Sequence, residues 1–271
     1  MPEGDTIFQI AIALRGYLVG RPVVVARARQ PGPRIEQVVG TQVSAVEPIG
    51  KHLLIRFSNG LTLRTHLRMG GTWHRYAPGE RWRRPASQAR VVLEVPGHVL
   101  VCFNAPVAEL MRDQAVPLRP AMADLGPDIL AADFNAEEAL RRLRARADMA
   151  AGEALLDQRA LAGIGNVFKS EILFLEGIHP WRLVRELDDD VLARVIATAQ
   201  RLLRLNVQPD LHGRTTTLGD AAARGKLWVY GRAGRSCFRC GTHIQVGRQG
   251  ELRRTTYWCP RCQPGSVTGD R

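Results

Sequence analysis

Four thiols near the C-terminal end carry the clearest chemistry in the chain. Cys237-x2-Cys240 and Cys259-x2-Cys262 are separated by eighteen residues. Thiolates spaced in this way grip one tetrahedral zinc from two sides of a small β-hairpin that needs almost no core of its own. Two disulfides, or four unrelated thiols, are the competing readings. No charged-then-apolar leader with a small-residue cleavage site opens the chain, so the expected compartment is reducing and zinc is favoured. The fifth cysteine, Cys102, sits in the apolar run Val99-Leu100-Val101-Cys102-Phe103 and reads as a buried strand residue.

A second chemistry is offered at the start, Met1-Pro2-Glu3-Gly4-Asp5-Thr6. Removal of Met1 leaves a secondary amine beside a carboxylate, and a free α-amine titrates near about 8, so a neutral fraction exists around neutrality. Such an amine attacks an aldehyde-like carbon and forms an iminium. Taken alone, a frayed chain start whose acids favour the first helical turn is the better reading. Further along, Leu161-Ala162-Gly163-Ile164-Gly165-Asn166 makes a tight turn between helical stretches. Its glycines would let a phosphate approach the backbone, and Asn166 could cap the following helix. An ordinary helical corner is equally compatible, and a nucleotide P-loop is excluded because the Gly-Lys-[Ser/Thr] ending is missing.

These groups sit in a basic chain of 271 residues, with 38 Lys+Arg against 26 Asp+Glu and a formal charge of +12. A solvated basic surface needs no ligand, but this excess together with a zinc ribbon favours nucleic acid as the partner. No apolar run approaches the roughly 18 residues of a membrane span, and no internal repeat is found.

The elements that must position these residues follow from the hydrophobic period. Ile7, Ile10, Ala11, Leu14 and Leu18 recur at helical spacing, so a first helix runs to about Gly20. The period then changes to two, and strands are expected near 22–28, 41–48, 52–57, 61–66, 90–95 and 98–103. If Asn59-Gly60 is a two-residue hairpin tip, paired residues sum to 119; Lys51 then faces Arg68, with Met69 beside it at the open end. Prolines 117, 120 and 127 punctuate a linker over 117–133. After it the chain reads helical, with Asn135 and Glu138 as a capping box, a helix over Leu155–Leu161, another after Asn166, and one over 188–205. The organisation is α+β multidomain: an N-terminal β-rich domain (1–116), a helical domain (134–225), a β-hairpin zinc finger (226–264) and a disordered tail (265–271).

Met1-Pro2-Glu3-Gly4, Gly50-Lys51-His52, Leu155-Leu156-Asp157-Gln158 through Gly163-Ile164-Gly165-Asn166, and Tyr230-Gly231-Arg232 followed by the cysteines stand in one order and spacing. Together they resemble the formamidopyrimidine-DNA glycosylase/endonuclease VIII family from residue 2 to Gln263. The resemblance implies an N-terminal β-sandwich with a leading helix, a helix-two-turn-helix domain and a C-terminal zinc finger, with damaged DNA lying in the cleft between. It further implies a bifunctional glycosylase and abasic-site lyase of base excision repair. Pro2 would attack the sugar C1′ and expel the base, and Glu3, protonated, would act as general acid. Lys51, Asn166 and Arg254 would bind the phosphates around the lesion, with Lys51 and Arg254 counted in the catalytic set. Cys237, Cys240, Cys259 and Cys262 would hold one structural zinc. The residues themselves do not choose between Arg253 and Arg254; the resemblance selects Arg254, five residues before Cys259, and places Arg253 on the opposite strand face. The iminium would acidify the C2′ proton, so β- and then δ-elimination would cut the strand. Met69 matches the apolar wedge inserted where a base leaves the stack; core packing is its ordinary alternative.

Within the family, Asn104-Ala105-Pro106-Val107-Ala108 lacks the arginine and phenylalanine of the 8-oxoguanine branch, and Gly213–Leu227 is short for that branch's lesion-covering loop. Glu3-Gly4 resembles the endonuclease VIII branch, with the likeness pointing to its actinobacterial group. Thr6 stands where the family usually has a further glutamate, and Arg68-Met69-Gly70 differs from the bacterial endonuclease VIII wedge triplet. Oxidised pyrimidines are therefore the expected substrates, ahead of 8-oxoguanine and formamidopyrimidines, and ahead of a non-catalytic zinc-finger DNA-binding protein. The partner is damaged double-stranded DNA and not a membrane; the expected state is a cytoplasmic, nucleoid-associated monomer.

Overall fold

A computed structural model describes residues 2–207, 215–218 and 226–265. The chain divides into two compact units, 1–124 and 125–271. Among the described residues no helix is long and apolar enough to cross a membrane.

The first unit begins with α1 (Gly4–Leu18), whose residues Ile7, Ala11, Leu14 and Leu18 are buried at the i, i+4, i+7 and i+11 positions expected of one helical face. Eight strands follow: β1 (Val25–Ala28), β2 (Val43–Ile49), β3 (His52–Phe57), β4 (Leu61–His66), β5 (Thr72–Tyr76), β6 (Ala89–Val95), β7 (His98–Phe103) and β8 (Val107–Arg112). They form two antiparallel sheets, ordered β2-β3-β4-β8 and β1-β6-β7-β5. Leu53, Ile55 and Leu63 from the first sheet share one core with Val91, Leu93 and Leu100 from the second, and α1 closes it. This is a β-sandwich with a leading helix. Cys102 is fully buried on β7, and burial pushes its thiol up, as expected of a core cysteine.

Two strands are additional to the six expected. In β5, Trp73 faces the core while Tyr76 joins a separate cluster on the outer face, so no single apolar face shows in the sequence. In β8, Glu109 pairs across to Arg64, so a charge occupies a position where alternation would ask for an apolar residue.

The hairpin register also differs. His52 pairs with His66 and Ile55 with Leu63, so paired residues sum to 118 rather than 119. The turn has three residues, Ser58-Asn59-Gly60, with Gly60 at φ +77° and its N–H on Phe57 O. A left-handed third residue is the usual form of a three-residue hairpin. Lys51 consequently does not face Arg68; the paired stretch ends at His52 opposite His66, and Lys51 lies in the turn before it.

After α2 (Pro120–Ala123) at the end of the first unit come α3 (Ala136–Arg144), α4 (Ala151–Ala154), α5 (Asn166–Leu175) and α6 (Asp189–Leu205). Asn135 caps α3 by accepting the Glu138 N–H at 2.9 Å. The helix expected over Leu155–Leu161 is replaced by turns. Gln158 gives its amide to Leu156 O and Ile164 O and accepts from Gly163 N–H, while Asp157 accepts from Arg159 N–H. Side chains that bind nearby backbone in this way compete with the helical ladder. The result is a helix-two-turn-helix domain, cored by Leu161, Ile164, Phe168, Ile172, Val195 and Ala199. The hairpin of β9 (Gln245–Gln249) and β10 (Arg254–Trp258) carries the cysteines on its flanks. Most of the Gly213–Leu227 connection and of the tail after Pro264 lies outside the described residues.

Candidate nucleic-acid and metal sites

In the first unit the candidate chemistry begins at the start of α1. Pro2 is half-buried, and Glu3 is the helix N-cap, its carbonyl accepting the Ile7 N–H at 3.1 Å. Glu3 is 2 % exposed, and Asp5, in the first turn, 3 %. Thr6 donates its hydroxyl to Asp5 at 3.3 Å. Two buried carboxylates at a helix N-terminus are favoured by the positive end of the helix dipole.

Lys51 is placed by a tight turn. Ile49 pairs with His52, so Gly50-Lys51 is a two-residue hairpin loop, and Gly50 sits at φ +55°. That conformation suits glycine and leaves Lys51 at the tip. The turn after β4 lies at the same end. Gly71 N–H reaches Leu67 O at 2.9 Å, and Arg68 is held at φ +44° immediately before Met69. Met69 is 76 % exposed, so its side chain is no part of the sandwich core.

Beneath these two turns lies a polar group that strand alternation does not reveal. Arg64 is buried, bonds Glu109 at 2.8 Å and donates to His52 Nδ1 at 3.0 Å. An arginine can only donate, so this His52 nitrogen accepts and the ring is neutral. His66 meets His52 edge-on at 4.8 Å and accepts the Arg68 N–H on Nδ1. Burial, with help from His66 and Arg64, holds His52 down to about 3; burial, Lys51 and Arg68 hold His66 down to about 4. Both folded values lie below the ordinary 6.5, so the unfolded chain takes up protons first and stability falls as pH drops from 6.5 toward 4. Between about pH 6.5 and about pH 5, His52 alone accounts for about 2 kcal/mol of that loss. Urea unfolding at the two pH values checks this: His52→Gln should flatten the dependence by that amount. An unchanged slope would show that the His52 ring is not held neutral.

In the second unit, Gly165 rather than Asn166 caps α5, and Asn166 is its first helical residue. The difference has a cause: the Asn166 amide is turned outward to donate to Thr255 O on β10. Its Oδ1 is buried with no partner among the described residues. One turn on, the fully buried Lys169 ammonium donates to Thr256 Oγ1 at 2.6 Å, and Ser170 Oγ accepts the Tyr257 N–H at 3.4 Å. Asn166, Lys169 and Ser170, at i, i+3 and i+4, thus meet three consecutive residues of β10. The Thr256 hydroxyl in turn donates to Gln249 Oε1 at 3.1 Å, and the Gln249 amide donates to Pro180 O at 2.8 Å. Arg254, half-buried, opens β10 opposite Gln249 and is carried by this anchorage. Arg253 is not on the strand's other face; it occupies the turn at φ +46°, because the connection back from β9 ends in a left-handed residue. Met69 and Arg254 therefore each follow a strained arginine. Glu171, also fully buried, receives the N–H groups of Trp228, Val229 and Tyr230 and the Thr217 hydroxyl. Lys169 and Glu171 were missed because nothing local distinguishes them from solvated helix charges.

The four cysteine sulfurs lie within 4.8 Å of one another, so together they could hold a metal ion. Two opposed pairs stand at 3.9 Å (Cys237–Cys262) and 3.4 Å (Cys240–Cys259). Sulfurs about 2.3 Å from a central ion would sit about 3.8 Å apart, so the group fits a tetrahedral site. Each pair is bent into a knuckle, with Gly241 N–H on Cys237 O and Gln263 N–H on Cys259 O, both at 2.9 Å. Hydrogen bonds from Thr242 hold Cys240 down to about 6, whereas burial pushes the Cys259 and Cys262 thiols up. Binding of a cation would therefore release protons.

Comparison with known proteins places the whole chain. The formamidopyrimidine-DNA glycosylase N-terminal domain matches residues 1–106, and the formamidopyrimidine-DNA glycosylase H2TH domain matches residues 125–217. The chain is 46% identical to a "Probable endonuclease 8 2" of Streptomyces coelicolor, over 100% of this chain and 99% of that one. It is 39% identical to the "DNA-(apurinic or apyrimidinic site) lyase Nei2" of Mycolicibacterium smegmatis, over 98% and 100%. In fold it is similar to the Lactococcus lactis Fpg protein complexed with DNA containing N7-benzyl-Fapy-dG, at a TM-score of 0.82 and 22% identity, covering 97% and 100%.

Proposed function

We propose, on the premise that the chain belongs to the formamidopyrimidine-DNA glycosylase/endonuclease VIII family, that it is a DNA glycosylase and abasic-site lyase of base excision repair acting on oxidised pyrimidines. The observation that carries the catalytic reading is Glu3, 2 % exposed directly after Pro2 and making no side-chain cap bond to the helix, a buried carboxyl beside the terminal amine where a general acid is needed. With Met1 removed, the Pro2 nitrogen attacks the sugar C1′ and the base leaves with its bonding electrons. Glu3 supplies a proton as the sugar ring opens, and an iminium joins protein and DNA. Loss of the C2′ proton expels the 3′ phosphate by β-elimination, and a second elimination releases the 5′ phosphate.

Lys51 at its hairpin tip, and Asn166 with Arg254 on the α5–β10 anchorage, are the phosphate contacts in this reading. Met69 supports it as the wedge, being an exposed apolar side chain in the turn at the same end of the β3–β4 hairpin as Lys51. Zinc is the ion the four thiolates suit; when bound it would order the finger, with all four positions taken by sulfur and none open to water. The pyrimidine preference is supported by Asn104–Ala108, where neither arginine nor phenylalanine is present. The protein acts as a monomer on duplex DNA.

The test is borohydride reduction with a duplex carrying one thymine glycol. A covalent adduct is expected, because borohydride reduces an iminium and leaves a non-covalent complex untouched. No adduct with thymine glycol, but one with 8-oxoguanine, would reverse the substrate assignment. No adduct with either, or mass spectrometry showing Met1 retained, would defeat the catalytic reading.

A further inference from the structure

The connection 77–88 between β5 and β6 is built in an unusual way. Tyr76 pairs with Val99, whereas Ala89, which follows the connection, pairs with Phe103. The chain must therefore travel back along β7 by about 13 Å, over the outer face of the sheet. Trp82 fixes it there, stacking on Tyr76 at 6.2 Å and meeting Phe103 edge-on at 5.8 Å. Arg83 N–H donates to the Tyr76 hydroxyl at 3.1 Å, and Glu80 accepts the Ala77 N–H at 2.8 Å.

With the tryptophan turned inward and the one acid engaged by backbone, the outer surface of the connection is cationic. Arg81 and Arg83 are exposed and Arg84 is half-buried, lining with Glu80, Trp82 and Pro85 a groove of about 590 Å3 in which cations outnumber the one carboxylate three to one. Arg27, Arg56, Arg64, Arg141, Arg142 and Arg144 all face carboxylates. Among the described residues, none of the three arginines of the connection does. Burial, then the nearby Arg84 and Arg83, hold His74 below its ordinary value, as a local excess of positive charge would.

The position of this surface narrows its occupant. The connection ends at Ala86–Gln88, where Asn104 binds Gln88 through its N–H at 2.9 Å and its side-chain amide at 3.0 Å. Asn104 follows Phe103, which pairs with Thr72, and Thr72 follows the Met69 turn. The arginines thus lead toward the edge of the sandwich that carries Met69. Trp82 is half-buried and already stacked on Tyr76, so the exposed charged groups of the connection that are free of backbone bonds are its guanidiniums, rather than an open stacking platform for unpaired bases. Guanidiniums without carboxylates suit phosphodiester oxygens, which they recognise without regard to sequence.

We propose that Arg81, Arg83 and Arg84 form a second phosphate track, gripping the duplex flank of the same DNA beyond the Met69 turn. This rests on the reading of the protein as a DNA-repair enzyme. The experiment is fluorescence anisotropy on a lesion-bearing duplex of about 30 base pairs, over salt from about 50 to about 300 mM, for wild type and R81Q/R83Q/R84Q. The slope of log affinity against log salt is expected to fall by about 2 to 3 in the variant, with affinity at about 100 mM salt down at least tenfold. R81K/R83K/R84K should retain the wild-type slope. R27Q/R182Q/R185Q, which removes as many charges from carboxylate-paired sites, should change it by less than about 1. A wild-type slope in the glutamine variant overturns the track and leaves an acidic protein partner as the occupant to consider. An equal loss in the lysine variant, or in the variant at carboxylate-paired sites, overturns it as well, by making the effect structural or generic. Binding is read separately from borohydride trapping, so a protein that binds through the track but traps no adduct would refute the enzyme reading alone.

Discussion

Glu3→Gln is expected to lower release of an oxidised pyrimidine about 10²- to 10⁴-fold, the range over which a positioned general acid contributes. Cleavage at a preformed abasic site should suffer far less, since no base has to leave there. The amide keeps the shape of the side chain, and the N-cap role of residue 3 is a backbone role, its carbonyl holding the first bond of α1. Helix and sandwich should therefore survive, and the loss should be chemical. Single-turnover assays on a thymine glycol duplex and on an abasic duplex, side by side, make the check. Equal losses on both substrates, together with weakened duplex binding, would show instead that the buried carboxyl is structural.

Cys259→Ser is expected to abolish both metal retention and DNA binding. The finger's own core is small: Val229, Cys237, Ile244 and Cys259 packed on Phe174 of α5. Two of those four finger residues are cysteines of the proposed metal site, so in this reading most of the finger's ordering would come from the ion. Binding free energies of roughly 10–16 kcal/mol measured for zinc-finger peptides are of the size required. Once the knuckles open, β10 loses its frame, and with it go Arg254 and the backbone carbonyl that Asn166 holds. The sandwich core lies wholly within residues 7–108, so thermal unfolding of that unit should persist. Metal analysis and duplex titration on the same sample decide it; DNA affinity retained after metal loss would overturn the role given to the finger.

The same elements show what a one-dimensional reading reaches. α1 and α6 were legible because a buried stripe recurs every three or four residues, and β3, β4, β6 and β7 because apolar runs end at glycine or asparagine. The α4–α5 corner was misread as helix at Leu155–Leu161, since leucine and alanine favour helix and the competing bonds of Gln158 and Asp157 appear only when the turn is closed. The hairpin was misregistered by one residue because Ser58-Asn59-Gly60 can supply either two or three turn residues. That choice alone decides whether His52 faces His66.

Motif order and spacing were enough to place the chain in its family, and they raised two expectations about chemistry: a metal held by four thiols at knuckle spacing, and an amine beside a carboxyl at the chain start. Each cysteine pair spans four residues and Pro2-Glu3 only two, so these signals are visible without a fold, and the family pattern is what lifts the second above a frayed chain start. Tertiary structure alone decided the neutral His52–His66 pair beneath Lys51 and Met69, the burial of Lys169 against Thr256, 87 positions away, and the laying of the arginine connection over the outer sheet. Each depends on strand register or on contacts between distant segments, where a slip of one residue turns a side chain to the opposite face.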